Sequence, residues 1–154
     1  MANTYSKIYI HLIFAVQGRT NIINKNLKDE LHKYICGIIN NKDRKVYAIN
    51  GMPDHIHVLV SIKPNCLISD LLREIKAGSS GWINTNKKIP GKFSWQEGFG
   101  AFSVSQSQVD KVIAYIDNQE IHHQKSTFKQ EYVGLLKKYN VEYNDKYVFD
   151  WIEE

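Results

Sequence analysis

The chain has 154 residues, 43% of them hydrophobic, and 20 Lys and Arg against 16 Asp and Glu give a net charge of +4. That size and balance predict one domain spanning 1–154, and they exclude a disordered, collagenous or low-complexity chain. A mild basic excess permits a nucleic-acid partner without demanding one; two cysteines without metal spacing (Cys36, Cys66), no leader-like start and no membrane-length apolar run predict a soluble protein of a reducing, cytoplasmic compartment with no membrane partner.

From Tyr5 to Val16 the even positions Ile8, Ile10, Leu12, Phe14 and Val16 are apolar, while the odd ones include Lys7, Tyr9 and His11. Period two predicts a strand with one face in a core. Leu27, Leu31, Tyr34, Ile35, Ile38 and Ile39 then fall on one helical stripe, with Asn24 or Asn26 as cap. Lys45 to Asn50 reads as a second strand closed by the turn Gly51-Met52-Pro53-Asp54, and His55 to Ile62 as a third. In the third strand Ile56, Val58, Val60 and Ile62 share one face; His55, His57, Leu59 and Ser61 share the other. Ile68, Leu71, Leu72 and Ile75 mark a second helix, expected to fray near Gly78-Ser79-Ser80-Gly81, and Ala101 to Val104 is the last strand-like run. A third helix is expected from about Gln108 to His122, and a fourth around Phe128, Tyr132, Leu135, Leu136 and Tyr139, opened by the capping pattern Thr127–Gln130. The tail to Glu154 is aromatic and acidic and matches no element.

The order β-α-β-β-α-β followed by helices predicts an α+β, ferredoxin-like antiparallel sheet with two helices on one face. The face bearing Tyr9, His11, His55 and His57 is then expected to be open. Such a face suits nucleic acid, a second subunit or a chemical site.

His55-Ile56-His57 projects two imidazoles from one face of a strand, so both can converge on one ion; a pair of exposed strand histidines has the same spacing. Two ligands leave a metal site incomplete. The third helix can complete it, because Lys111, Tyr115, Gln119 and His122 form a stripe beside the apolar positions Val109, Val112, Ile113 and Ile116. Tyr115 is the side chain on that stripe able to hold a covalent phosphodiester intermediate. Lys7, Tyr9 and His11 could track and stack on a DNA strand; Arg19, Arg44 and Lys45 in turns, with Lys111 beside Tyr115, could contact phosphates. His122-His123 are read as helix C-terminal cations, and Trp95 and Phe99 as core or interface.

Three segments together carry a resemblance: Pro53-Asp54-His55-Ile56-His57-Val58-Leu59-Val60, Trp95 to Ser105, and Tyr115-Ile116-Asp117-Asn118-Gln119. The sequence resembles the single-tyrosine HUH transposases (TnpA type) of small bacterial insertion sequences, over most of its length from His11 to Tyr132. The resemblance implies a metal-dependent enzyme that binds single-stranded DNA hairpins at element ends. His55, His57 and Gln119 would hold the divalent ion. Tyr115 would attack the phosphodiester, keep the 5′ phosphate as phosphotyrosine and release a 3′ hydroxyl. Mg²⁺ or Mn²⁺ is implied, although two imidazoles and an amide would also suit zinc. The proton of Tyr115 would pass to the metal, a water or Lys111. An exposed sheet face and edge with Tyr5, Tyr9 and Trp95 further predict a homodimer, and the resemblance implies that active sites can form in trans. The alternatives are an HUH nicking enzyme of replication or mobilisation, and an inactive hairpin-DNA-binding protein of the same fold.

Overall fold

The structure, a computed structural model, describes residues 3–19 and 21–144; the acidic tail from 145 onward lies outside them. Four strands, β1 (Ile8–Ala15), β2 (Arg44–Met52), β3 (His55–Ile62) and β4 (Gly100–Val104), form an antiparallel sheet in the order β2-β3-β1-β4. Helix α1 (Lys25–Ile39) joins β1 to β2, and α2 (Ile68–Thr85) joins β3 to β4. After the sheet come α3 (Val109–Asp117), α4 (Gln119–Lys125) and α5 (Phe128–Lys138). This is the expected ferredoxin-like arrangement. Among the described residues no helix is long and apolar enough to cross a membrane.

The even positions of β1 and β3 pack as read from the sequence. Ile10, Leu12, Phe14, Ile56, Val58 and Val60 meet Leu31, Ile35 and Ile39 of α1 and Leu71, Leu72 and Ile75 of α2 in the main core. Asn24 caps α1, its side chain accepting the amide N–H of Leu27 at 2.9 Å. Helix α2 does not fray at its Gly-Ser-Ser-Gly segment but runs through it. The reason is close packing: a Cβ on Gly78 would lie 2.8 Å from the Ile38 side chain, and Ser79, fully buried, donates to Ile75 O while accepting from Trp95 Nε1 at 2.8 Å. Small residues there let α1 and Trp95 approach.

Strand β2 also runs further than its sequence suggests, leaving Pro53-Asp54 as a two-residue connection. Gly51 pairs with Ile56 inside the ladder, where a Cβ would stand 2.2 Å from His55 O. The missing side chain is what lets the hairpin close against His55.

The second sheet face is not open, contrary to the sequence expectation. Tyr9, Leu59, Ala48 and Val104 pack under Val109 and Ile116 of α3, and Ile13, Ala15 and Phe102 pack under Phe128 and Leu136 of α5. The apolar stripes of the C-terminal helices need a partner surface, and the odd positions of β1 and β3 supply it. The expected third helix is likewise divided. At Asn118 (φ −99°, ψ 27°) the chain leaves α3 and starts α4. Asn50 on β2 donates its side-chain amide to Ile116 O and Asp117 O, both at 3.0 Å, so the carbonyls freed by the break are satisfied by the sheet.

Substituting Gly51 by Ala is expected to destabilise the protein by roughly 1–3 kcal/mol, since the new methyl meets backbone that must shift; chemical denaturation measures it, and an unchanged midpoint would contradict the close approach. A second expectation concerns His32, buried on α1, where burial and then Lys28 lower its pKa to about 4. Between pH 6.5 and 4 the unfolded chain binds the proton first, so this contribution is intact above pH 6.5 and is lost as pH falls. Relative to His32→Leu, the wild type should lose up to about 3 kcal/mol of unfolding free energy between pH 7 and 4, read from denaturant titrations at stepped pH.

Candidate active site

Between the patches covered by α3 and α5 a seam remains on the second sheet face, and the polar residues of β1 and β3 occupy it. His11, His55, His57 and Gln119 are all buried. The β1–β3 register places His11 opposite Leu59, and Ile13 opposite His57, so His11 and His57 are diagonal neighbours on that face. His11 Nε2 and His57 Nδ1 share a hydrogen bond of 2.9 Å. His55 Nδ1 lies 2.7 Å from Asp54 Oδ1, and its ring stacks on Phe128 with centroids 3.9 Å apart. With each Nδ1 engaged outward, by His11 or by Asp54, both imidazoles turn Nε2 inward. This is how metal-binding histidines are held.

Inward lies a carboxylate. Glu131, one turn into α5, has a side chain 4% exposed, and its Oε1 is 3.3 Å from His57 Nε2, 3.4 Å from His55 Nε2 and 3.0 Å from His123 Nε2. Its other oxygen, Oε2, accepts the phenolic O–H of Tyr115 and the Nε2–H of Gln119, the latter at 3.1 Å. Gln119 Oε1 stands 3.4 Å from His55 Nε2. The Tyr115 ring lies 5.9 Å from that of His57 and 4.5 Å from that of His122, whose buried Nε2 has no hydrogen-bond partner.

The charges follow from this packing. Burial opposes ionisation of Glu131, but hydrogen bonds from His123, His55 and His57 outweigh it and hold the carboxyl far below its ordinary range. For His55 burial works against the cation, and hydrogen bonds with Asp54 and Glu131 more than compensate, raising its pKa. Burial dominates at His57, lowered to about 4, and at His11, lowered to about 3 by burial and then by His57. Tyr115 is raised above its ordinary value by burial and by the negative charge of Glu131.

The structure therefore brings together His55, His57, Tyr115 and Gln119, in one chain. The ligand atoms of His55, His57 and Glu131 lie within 4.8 Å of one another, so the donors present fit a divalent cation. Gln119, expected on the continuous helix of Tyr115, reaches the site from the start of α4 across the break. Lys111, exposed, shares with Tyr115, Glu131, Ser105, Gln108 and Lys138 the wall of a cavity of about 710 Å³.

Other sequence expectations need correction. Tyr9 and His11 are buried beneath the C-terminal helices, which leaves them no surface for stacking on DNA bases; His11 instead braces His57. Arg44 donates to Ile38 O and Ile39 O at the end of α1 and pairs with Glu74 at 3.4 Å, a role in the fold. Lys7 and Lys45 remain exposed and flank the Tyr47 ring at 5.6 and 5.0 Å. The side chain of Arg19 lies outside what the structure describes. Trp95 is in the core, as read. His123, read as a helix-end cation, turns into the site.

Glu131 itself was missed. One signal was available: it sits three residues after Phe128 and four before Leu135, so a carboxylate interrupts the apolar stripe of α5.

Known proteins resemble the chain in sequence and fold. Residues 4–119 match the family described as IS200-like transposases. The ISDra2 transposase TnpA of Deinococcus radiodurans is 25% identical over 114 residues, which cover 71% of this chain and 81% of that protein. Among solved structures, one assigned as a transposase from Deinococcus radiodurans R1 has a TM-score of 0.61 at 24% identity, covering 77% of this chain and 95% of that one. A REP-associated tyrosine transposase bound to a REP hairpin has a TM-score of 0.60 at 16% identity, covering 80% and 73%. At those identities the two structures show the shared fold.

If His11 orients His57, replacing it by Leu should weaken Mn²⁺ binding by about 10–100-fold while His55 and His57 remain in place. Titration calorimetry with Mn²⁺ alone measures this, and equal affinity would remove His11 from the site.

Proposed function

The chain belongs to the IS200-like transposase family, and we propose that it cleaves and rejoins single-stranded DNA through a phosphotyrosine at Tyr115. One observation carries this reading: the Tyr115 hydroxyl is bound by the same carboxylate that faces the Nε2 atoms of His55 and His57. Nucleophile and electrophile-activating donors thus meet within one hydrogen-bonded cluster, at the wall of a cavity open to a substrate strand.

In this proposal Tyr115 gives up its phenolic proton to water by way of Glu131, its Oη forms a bond to phosphorus and the P–O3′ bond breaks. The 5′ phosphate stays on the tyrosine, and the 3′ oxygen departs with the electron pair and takes a proton from water. A 3′ hydroxyl from another end reverses the exchange, so one phosphodiester is traded for another and no nucleotide hydrolysis is required. A divalent cation, Mg²⁺ or Mn²⁺, held by His55, His57 and Gln119, would polarise the scissile phosphate and offset its developing charge. Within the chain, Asp54 and His11 fix the two imidazoles, and burial keeps Tyr115 protonated until substrate arrives. Glu131, not Lys111, is the group in contact with the phenolic proton.

The substrate proposed is a DNA hairpin at an element end, the kind of partner named for the REP-bound relative. Lys111 on the cavity wall is the basic side chain best placed for the scissile strand, and Lys7 and Lys45 at the sheet edge could hold more distant phosphates. A homodimer is part of the proposal: Tyr5 is 91% exposed, and β2 and β4 are the outer strands of the sheet among the described residues. With Tyr115 and the histidines joined in one chain, its sites would work in cis. An enzyme acting on element DNA in this way would work in the cytoplasm.

Tyr115→Phe should bind hairpin DNA near the wild-type level and form no covalent adduct with it, measured by gel shift and denaturing electrophoresis. His57→Ala should slow adduct formation and be partly restored by excess Mn²⁺. An adduct in Tyr115→Phe would assign the nucleophile elsewhere.

A further inference from the structure

Building on that reading, we propose that Glu131 is itself a ligand of the divalent cation, joining His55 and His57 through Oε1, while its Oε2 ties the Tyr115 nucleophile to the same centre. Glu131 lies on α5, beyond the residues 4–119 matched by the family.

The distances carry the argument. Donor atoms around a divalent ion at about 2.1 Å stand roughly 3.0–3.4 Å from one another, whether the shell is octahedral or tetrahedral. Glu131 Oε1 is 3.4 Å from His55 Nε2 and 3.3 Å from His57 Nε2. Those separations are longer than the roughly 2.7–2.9 Å of a good charge-assisted hydrogen bond, and they match edges of a coordination shell. Gln119 Oε1 sits at the same 3.4 Å from His55 Nε2, so amide and carboxylate can occupy neighbouring positions.

Burial and donor chemistry agree. A carboxylate with a 4% exposed side chain needs a compensating charge, and His123, 3.0 Å from Oε1, orients it toward the imidazoles. Two imidazoles, an amide oxygen and a carboxylate make a mixed set with more oxygen, suited to Mn²⁺ and Mg²⁺. Dividing the two oxygens also couples functions: the carboxylate that would bind the ion through Oε1 fixes, through Oε2, where the Tyr115 hydroxyl sits.

The test uses the full chain and Mn²⁺ alone, followed by calorimetry and by the electron paramagnetic resonance of free Mn²⁺. Wild type should bind one ion, and Glu131→Gln, which keeps size and hydrogen bonding but removes the charge, should bind at least tenfold more weakly with an unchanged far-ultraviolet circular dichroism spectrum. In case that variant does not fold, wild-type chain labelled with ¹³C-glutamate is saturated with diamagnetic Zn²⁺, and the side-chain carboxylate resonance of Glu131 should shift more than those of the surface glutamates. Undiminished affinity in Glu131→Gln, or an unmoved Glu131 resonance at saturation, overturns the assignment and leaves His55, His57 and Gln119 as the site. A wild type that binds no Mn²⁺ overturns the metal-dependent reading as well.

Discussion

The centre of the sheet is covered on both faces, and this one constraint decides what the polar residues of β1 and β3 can do. Side chains alternate across a strand, so the even positions go to α1 and α2 and the odd positions must meet α3, α4 and α5. Three imidazoles, an amide and a carboxylate are thereby taken out of water at the seam between two apolar patches. An unpaired buried polar group costs on the order of 1–3 kcal/mol, and a buried charge more. The groups at the seam satisfy one another, and the resulting cluster is the candidate site.

Each member is held by a different part of the chain. The β2–β3 connection sets Asp54 against His55, and Gly51 lets that hairpin close. The neighbouring strand sets His11 against His57. Asn50 ends α3 one residue short of Gln119, so the amide enters the site from a new helix while Tyr115 stays on the old one. Helix α5, fixed by its Thr127–Gln130 capping box and by Phe128 under His55, delivers Glu131. Displacing any of these elements moves a donor, not merely a support.

Charge distribution gives the cluster its chemical character. Glu131 is ionised, His55 favours the cation beside it, and His57 and His11 are kept neutral by burial. A neutral imidazole offers a lone pair, which a metal ligand must have; His57 already has it, whereas His55 would have to release its proton as a cation binds. The tyrosine hydroxyl, beside a negative carboxylate in a buried setting, holds its proton firmly. Drawing that negative charge toward a cation is therefore the change that would make Tyr115 easier to ionise.

What the sequence determined by itself was local. Period two in β1 and β3, the 3.6-residue stripes of the helices, an asparagine cap at 24 or 26 and the Thr127 cap are short-range properties, and from them the ferredoxin-like order and the shared face of His55 and His57 were legible. The Tyr115–Gln119 pair was legible as a spacing, though the helix carrying it breaks between them, because a side chain on distant β2 accepts the task of ending it. Tertiary structure alone decided that the second sheet face is covered, that Tyr9 and His11 are interior, and that Glu131 and His123 belong to the site. Glu131 is 74 residues from His57 along the chain, and nothing in its neighbourhood names its partner. The docking of α5 onto an apolar patch sets that contact, and such docking depends on the shape of a surface that exists only once the sheet has formed.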